Sequence, residues 1–170
     1  ELDTRLGEAF DRAPSEWRSR AWTAVQVFKI ESARLADDQG ELEVVRDGAD
    51  WKRGEDRIDY STASDLLYAI TDAEGEEVVE RAAPEASGHD LAAPRLTVRL
   101  ATEDGEEELR LYPARDGRSA ATSDGRDAVL LLGEETVDEI LQAVEDLRAA
   151  EPLPDEEAET DGETDASSEP

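Results

Sequence analysis

Residues 41–70 read ELEVVRDGADWKRGEDRIDYSTASDLLYAI, and the fold turns on how this run is parsed. Leu42 and Val44 alternate with Glu41 and Glu43, the two-residue period of a strand with one dry and one wet face. Asp47-Gly48 follows as a tight reversal, because glycine accepts a positive φ and aspartate tolerates one. A second strand opens at Trp51. Past Tyr60, Ser61 is placed to cap a helix whose Ala63, Leu66, Leu67 and Ile70 share one face at three- and four-residue spacing. A lone hairpin is marginal in water, so this helix has to cover the apolar side of a larger sheet.

The rest of that sheet is found by working outward. Upstream, residues 25–35 alternate as a strand, with Phe28 and Ile30 on one face and Val25 and Val27 on the other. Asp37, Asp38, Gln39 and Gly40 then turn the chain. Downstream, Glu74-Gly75 is placed to end the helix, and Val78 and Val79 mark another strand. Pro84 and Pro94 bracket a punctuated connection. A meander follows, with Leu96, Val98 and Leu100 in one strand and Leu109 and Leu111 in the next. Its later strands run over 119–123 and 128–132, and Asp104-Gly105, Asp116-Gly117 and Asp124-Gly125 mark the turns. Gly133 opens a last helix striped by Val137, Ile140, Leu141, Val144 and Leu147. The expected class is α+β: a curved, meander-rich antiparallel sheet of seven or eight strands, covered by amphipathic helices at 61–73 and 134–149.

Three regions are expected along the chain. Residues 1–23 read as short helical pieces, the close of an upstream module or an embellishment on the domain, with Trp17 and Trp22 needing burial. Residues 24–150 form the α+β domain. Residues 151–170 hold nine acids, no base and one large apolar side chain, a composition that cannot offset its own ordering entropy. They read as an acidic disordered tail.

Charge excludes several functions. The chain of 170 residues has 46 acids against 18 bases, a formal net charge of −28. Nucleic-acid phosphates and anionic membrane surfaces both call for clustered bases, so neither is an expected partner. There is no cysteine, which excludes disulfides, cysteine-ligated zinc and thiol catalysis. No stretch approaches the ~18–20 apolar residues of a membrane span, so direct insertion is not expected. The sequence starts at Glu1 and contains no methionine, as expected of a processed protein or a fragment.

The residues name no catalytic group. His89 is the single histidine, too few for zinc, and it sits in a turn-rich connection with no serine in an elbow context. The glycines stand in Asp-Gly turns rather than in phosphate-cradling loops. No cofactor and no dedicated metal site are expected. Weak, general cation binding would fall on the acidic loops carrying Asp37 and Asp38, and Asp72, Glu74, Glu76 and Glu77, none of which keeps EF-hand spacing.

One family resemblance emerges. Phe28, Lys29 and Ile30, the strand over 41–46, Asp47-Gly48, Trp51 and the helix over 61–70 come in an order that resembles a bacterial family known only as a domain of unknown function, numbered forty-three forty. The run Leu91, Ala92, Ala93, Pro94, Arg95, Leu96, Thr97, Val98 resembles that family's Gly-Leu-Asp-x-Pro followed by an alternating strand. Asp90 stands where the family usually has glycine, and Ala92 where it often has an acid. Arg18-Ser19-Arg20 resembles the Arg-x-Arg that closes a preceding copy in tandem members. The resemblance covers about residues 21–148.

It implies a non-catalytic, extracytoplasmic domain, tethered by a membrane helix in the full-length protein, beside gliding-motility-type ABC transporter components. The expected function is then a non-enzymatic accessory or interaction module of a cell-envelope complex, with protein partners. The alternatives are a domain binding cations or cationic ligands, and an enzyme built on a carboxylate pair.

Overall fold

The computed structural model describes residues 20–80 and 84–154. The elements run β1 (Ile30–Asp37), β2 (Gly40–Asp47), β3 (Asp50–Arg53), β4 (Asp56–Ile58), α1 (Tyr60–Thr71), β5 (Glu77–Glu80), β6 (Leu96–Thr102), β7 (Gly105–Arg115), β8 (Arg118–Ser123), β9 (Ala128–Gly133) and α2 (Glu134–Ala149). The strands form one sheet in the order β4-β3-β2-β1-β6-β7-β8-β9-β5, antiparallel throughout. The class is the expected α+β, with two helices on an antiparallel sheet.

Nine strands are present among the described residues, rather than seven or eight. The run after Trp51 does not lead straight into the helix. It turns at Gly54, whose φ is 65°, and returns as the three-residue β4. The upstream strand is also shorter than its alternation promises. Residues Val27–Lys29 wind into a 3-10 turn, closed by the Lys29 amide on the Gln26 carbonyl at 2.9 Å. Arg46 Nη1 takes the Phe28 carbonyl at 3.2 Å, so this backbone is held by a side chain rather than by a ladder. Ile30 enters the core and Phe28 faces solvent.

α1 begins one residue before Ser61 and is capped by Asp59. The Asp59 carboxylate accepts the Ser61 amide at 2.8 Å, the Thr62 amide and the Ser61 hydroxyl. Those hydrogen bonds hold its carboxyl below the usual range. The helix closes at Thr71 with Asp72 still in helical conformation. Gly75 does not end it; its amide instead reaches the Arg20 carbonyl at 2.8 Å. Gly133 does open α2, as expected, and the helix dipole favours Glu134 and Glu135 behind it.

The sheet is two copies of one plan. β1 to β4 form a meander followed by α1, and β6 to β9 form a meander followed by α2, with β5 appended at the far edge. The copies meet along β1 and β6, where Arg34 stands opposite Arg99. Arg34 reaches Glu43 on β2 at 2.9 Å, and Arg99 reaches Glu108 on β7 at 2.7 Å. Gly40 and Gly105, both at positive φ, follow the matching hairpin turns. The pairs Arg34 and Arg99, Gly40 and Gly105, and Glu43 and Glu108 are separated by the same interval, so a local twofold passes through the Arg34–Arg99 pair. The facing arginines repel, and the outer glutamates offset that repulsion.

Both helices cover one face. Leu66, Leu67 and Ile70 of α1 and Ile140, Val144 and Leu147 of α2 bury against Leu35, Val44, Val98, Leu100, Leu109 and Leu130. Trp22 joins this core fully buried, with its indole N–H on the Thr122 carbonyl at 3.0 Å. On the opposite face a smaller cluster of Val79, Tyr112, Ala120, Val129 and Leu131 lies beside Leu91, in the connection from β5 to β6. That is why β8 and β9 are apolar on both sides. Of the helical pieces expected over 1–23 only residues 20–23 are described, and they carry no helix, Ala21 bridging to Glu74. Of the tail expected over 151–170 only residues 151–154 are described, with the Leu153 amide on the Arg57 carbonyl at 2.8 Å. Trp17 and Arg18-Ser19 lie outside the described residues.

Candidate functional site

The acids singled out in the sequence are separated by the length of α2. Asp37 accepts a short hydrogen bond from Arg148 in the last turn of that helix (2.6 Å), and Arg148 also reaches the Gly40 carbonyl. Asp38 lies next to it on the exposed turn. At the other end, Asp72 caps α1, Glu74 bridges to Ala21, Glu76 sits against Gly133, and Glu77 pairs with Arg118 at 2.9 Å. A 16-residue helix spans about 24 Å, so the two acidic loops cannot share an ion. Among the described residues no group of three or more ligand-type side chains converges on a common point.

His89 is structural. Its Nδ1 lies 2.8 Å from the Ser87 carbonyl and its Nε2 3.0 Å from the Arg118 carbonyl, which staples the connection to β8.

What the structure does assemble is an aromatic cleft. Tyr60, Ser64 and Tyr68 recur at four-residue spacing along one edge of α1, the two tyrosines exposed and Ser64 buried between them. Opposite stand Val25, Phe28 and Arg46, with Trp51 at the back, enclosing about 380 Å³. Phe28 is 69% exposed, Tyr60 59% and Tyr68 52%. Five large hydrophobic side chains are exposed among the described residues, and these three are among them. A fourth, Val45, lies in an adjoining groove that shares Phe28 and Arg46 with the cleft. Apolar exposure is therefore concentrated, not scattered, and a concentrated patch is what an interaction surface looks like. Arg46 is fixed by carbonyl oxygens, Gly48 at 3.3 Å and Phe28 at 3.2 Å, rather than by a carboxylate.

Tyr68 and Asp72 belong also to a second, larger depression between the two helices, of about 1100 Å³. Ala69 and Ala143 form its floor. Asp65 and Asp72 stand on the α1 side, and Glu134, Glu135, Asp138, Glu139 and Asp146 on the α2 side. None of these seven carboxylates is ion-paired among the described residues. Asp146 accepts only the Gln142 amide, at 2.8 Å.

Of these residues the sequence reading placed only Asp72 in a candidate site, as a weak cation ligand. The available signal was two tyrosines in α1 that miss its apolar stripe. No helix among the described residues is long and apolar enough to cross a membrane. Comparison with known proteins gives no match, whether to a family model, a curated protein or a solved structure.

Proposed function

We propose that this chain is a non-enzymatic interaction module, an accessory domain of a bacterial cell-envelope assembly that works outside the cytoplasm. The exposed cluster of Phe28, Tyr60 and Tyr68 around the cleft carries this reading. A folded domain that leaves three aromatic rings in water beside a preformed apolar cleft gains by covering them with a partner. The envelope setting rests on the family resemblance, which brings transporter components into view as partners.

The test is capture of detergent-solubilised envelope proteins on the immobilised chain. Transporter-type components should be retained by the wild type at low and high salt, and lost with the Phe28→Ser/Tyr60→Ser variant. Retention of none at either salt, or equal retention by both proteins, overturns the proposal.

A further inference from the structure

We propose that the trough between α1 and α2 receives a cationic amphipathic helix of a partner protein. This rests on the interaction-module reading and names the chemistry of the partner. The trough has an apolar floor of Ala69 and Ala143 with the Tyr68 ring on its rim, and its walls are carboxylates with no internal cations to balance them. An apolar floor asks for aliphatic side chains, and unbalanced acidic walls ask for lysine and arginine on either side of them.

The shape selects a helix over an extended peptide. Both walls are α-helices, which spend their backbone groups internally, so the trough offers no row of free amides and carbonyls to a strand. A helix arrives with its own backbone satisfied and needs only side-chain contacts. Glu135, Glu139, Gln142 and Asp146 recur once per turn along α2, and Asp65 and Asp72 stand two turns apart on α1. The α2 wall from Glu135 to Asp146 is about 16 Å long, which accommodates roughly three turns of a guest. Tyr68, exposed on the rim, presents a ring face to a passing guanidinium or ammonium. Phosphate-bearing surfaces, whether lipid or nucleic acid, are repelled by the same walls.

The probe is a synthetic helix of about 14 residues, with leucine at i, i+3, i+4 and i+7 and lysine or arginine elsewhere. Its twin carries glutamate at every basic position. Binding is read by fluorescence anisotropy at about 0.15 M salt, where the Debye length is only ~8 Å. The basic helix should bind and the acidic twin should not. Asp138→Lys/Glu139→Lys should weaken binding by about tenfold or more, and Tyr68→Ser by about fivefold, as befits a central aromatic contact. Glu31→Lys/Glu106→Lys makes the same change in net charge at exposed strand positions that alternate with the helix-covered ones, and should alter affinity less than about twofold.

Equal losses from the two double reversals would reduce the effect to bulk charge and overturn the proposal, as would failure of the basic helix to bind. Envelope-partner capture separates the two readings. Capture lost with Phe28→Ser/Tyr60→Ser but kept with Asp138→Lys/Glu139→Lys leaves the interaction module standing and removes the cationic guest.

Discussion

The two meanders share a plan and differ in how the chain enters them. Before β1 the chain buries Trp22 in the helix-covered core, its amide on the Ala73 carbonyl and its indole on Thr122, and winds through Val27–Lys29 with Phe28 turned outward. Before β6 it runs on the opposite face, where Leu91 lies on the small cluster around Tyr112 and Val129. One entry leaves an aromatic cleft open; the other closes a patch. The strands and helices of the two copies therefore act as a common frame, and the difference in surface chemistry comes from the connecting segments.

The sharpest way to break this comparison is to remove the side chain that has no counterpart. Trp22→Ala deletes a fully buried indole and its bond to Thr122, and should cost about 3–5 kcal/mol in urea-induced unfolding. A loss under about 1 kcal/mol would mean that the first entry segment is merely laid on the domain.

A second pair of substitutions asks whether the frame is symmetric in energy as well as in shape. Leu35 and Leu100 occupy equivalent places on β1 and β6, and both are fully buried. Leu35→Ala and Leu100→Ala should each cost about 2–4 kcal/mol, within about 1 kcal/mol of one another. Unequal costs would show that one copy carries the packing and the other rests on it.

The smallest effect concerns the charge ladder. Glu108 is more sheltered than its counterpart Glu43, with side-chain exposures of 13% and 43%. It is also held by two arginines, Arg99 and Arg110. Glu108→Gln should cost about 1–2 kcal/mol, and Glu43→Gln less than about 0.5 kcal/mol. The hydrogen bond from Arg99 holds the Glu108 carboxyl below the usual glutamate range, with Arg110 adding to it and burial opposing. A lowered folded-state value means that its contribution is fully present above the ordinary range and is lost as pH falls through the lowered value. Acid unfolding should accordingly show a shallower pH slope in Glu108→Gln than in the wild type. Identical slopes would remove Glu108 from the account.

Much of the frame was legible in the residues, for identifiable reasons. Leu96, Val98 and Leu100, then Leu109 and Leu111, alternate cleanly because one face of that sheet is wet. The Asp-Gly reversals mark their own ends: Asp116 and Gly117 both adopt positive φ, the demand that selects those two residues. β4 was not legible, because three residues with one apolar side chain, Ile58, leave no period to count. The duplication was hidden for another reason. Tyr112 and Pro113 interrupt the pairing of β7 with β8, and β7, β8 and β9 run longer than β2, β3 and β4, so the spacing between matching residues grows along the chain. The cleft escaped because its parts are ordinary singly. Phe28 looked like a core residue, and only the 3-10 turn that aims it outward reveals otherwise.

The seam between β1 and β6 bears on how this polypeptide could be cut and rejoined. Each half carries its own meander and its own covering helix, and the Arg20 carbonyl accepts the Gly75 amide at the junction between them. Severing the backbone at that junction would yield two fragments, each presenting one bare edge and one exposed greasy face that fits only the other. Co-expressed, they should reassemble into the native sheet, which makes the domain a natural scaffold for split-reporter complementation.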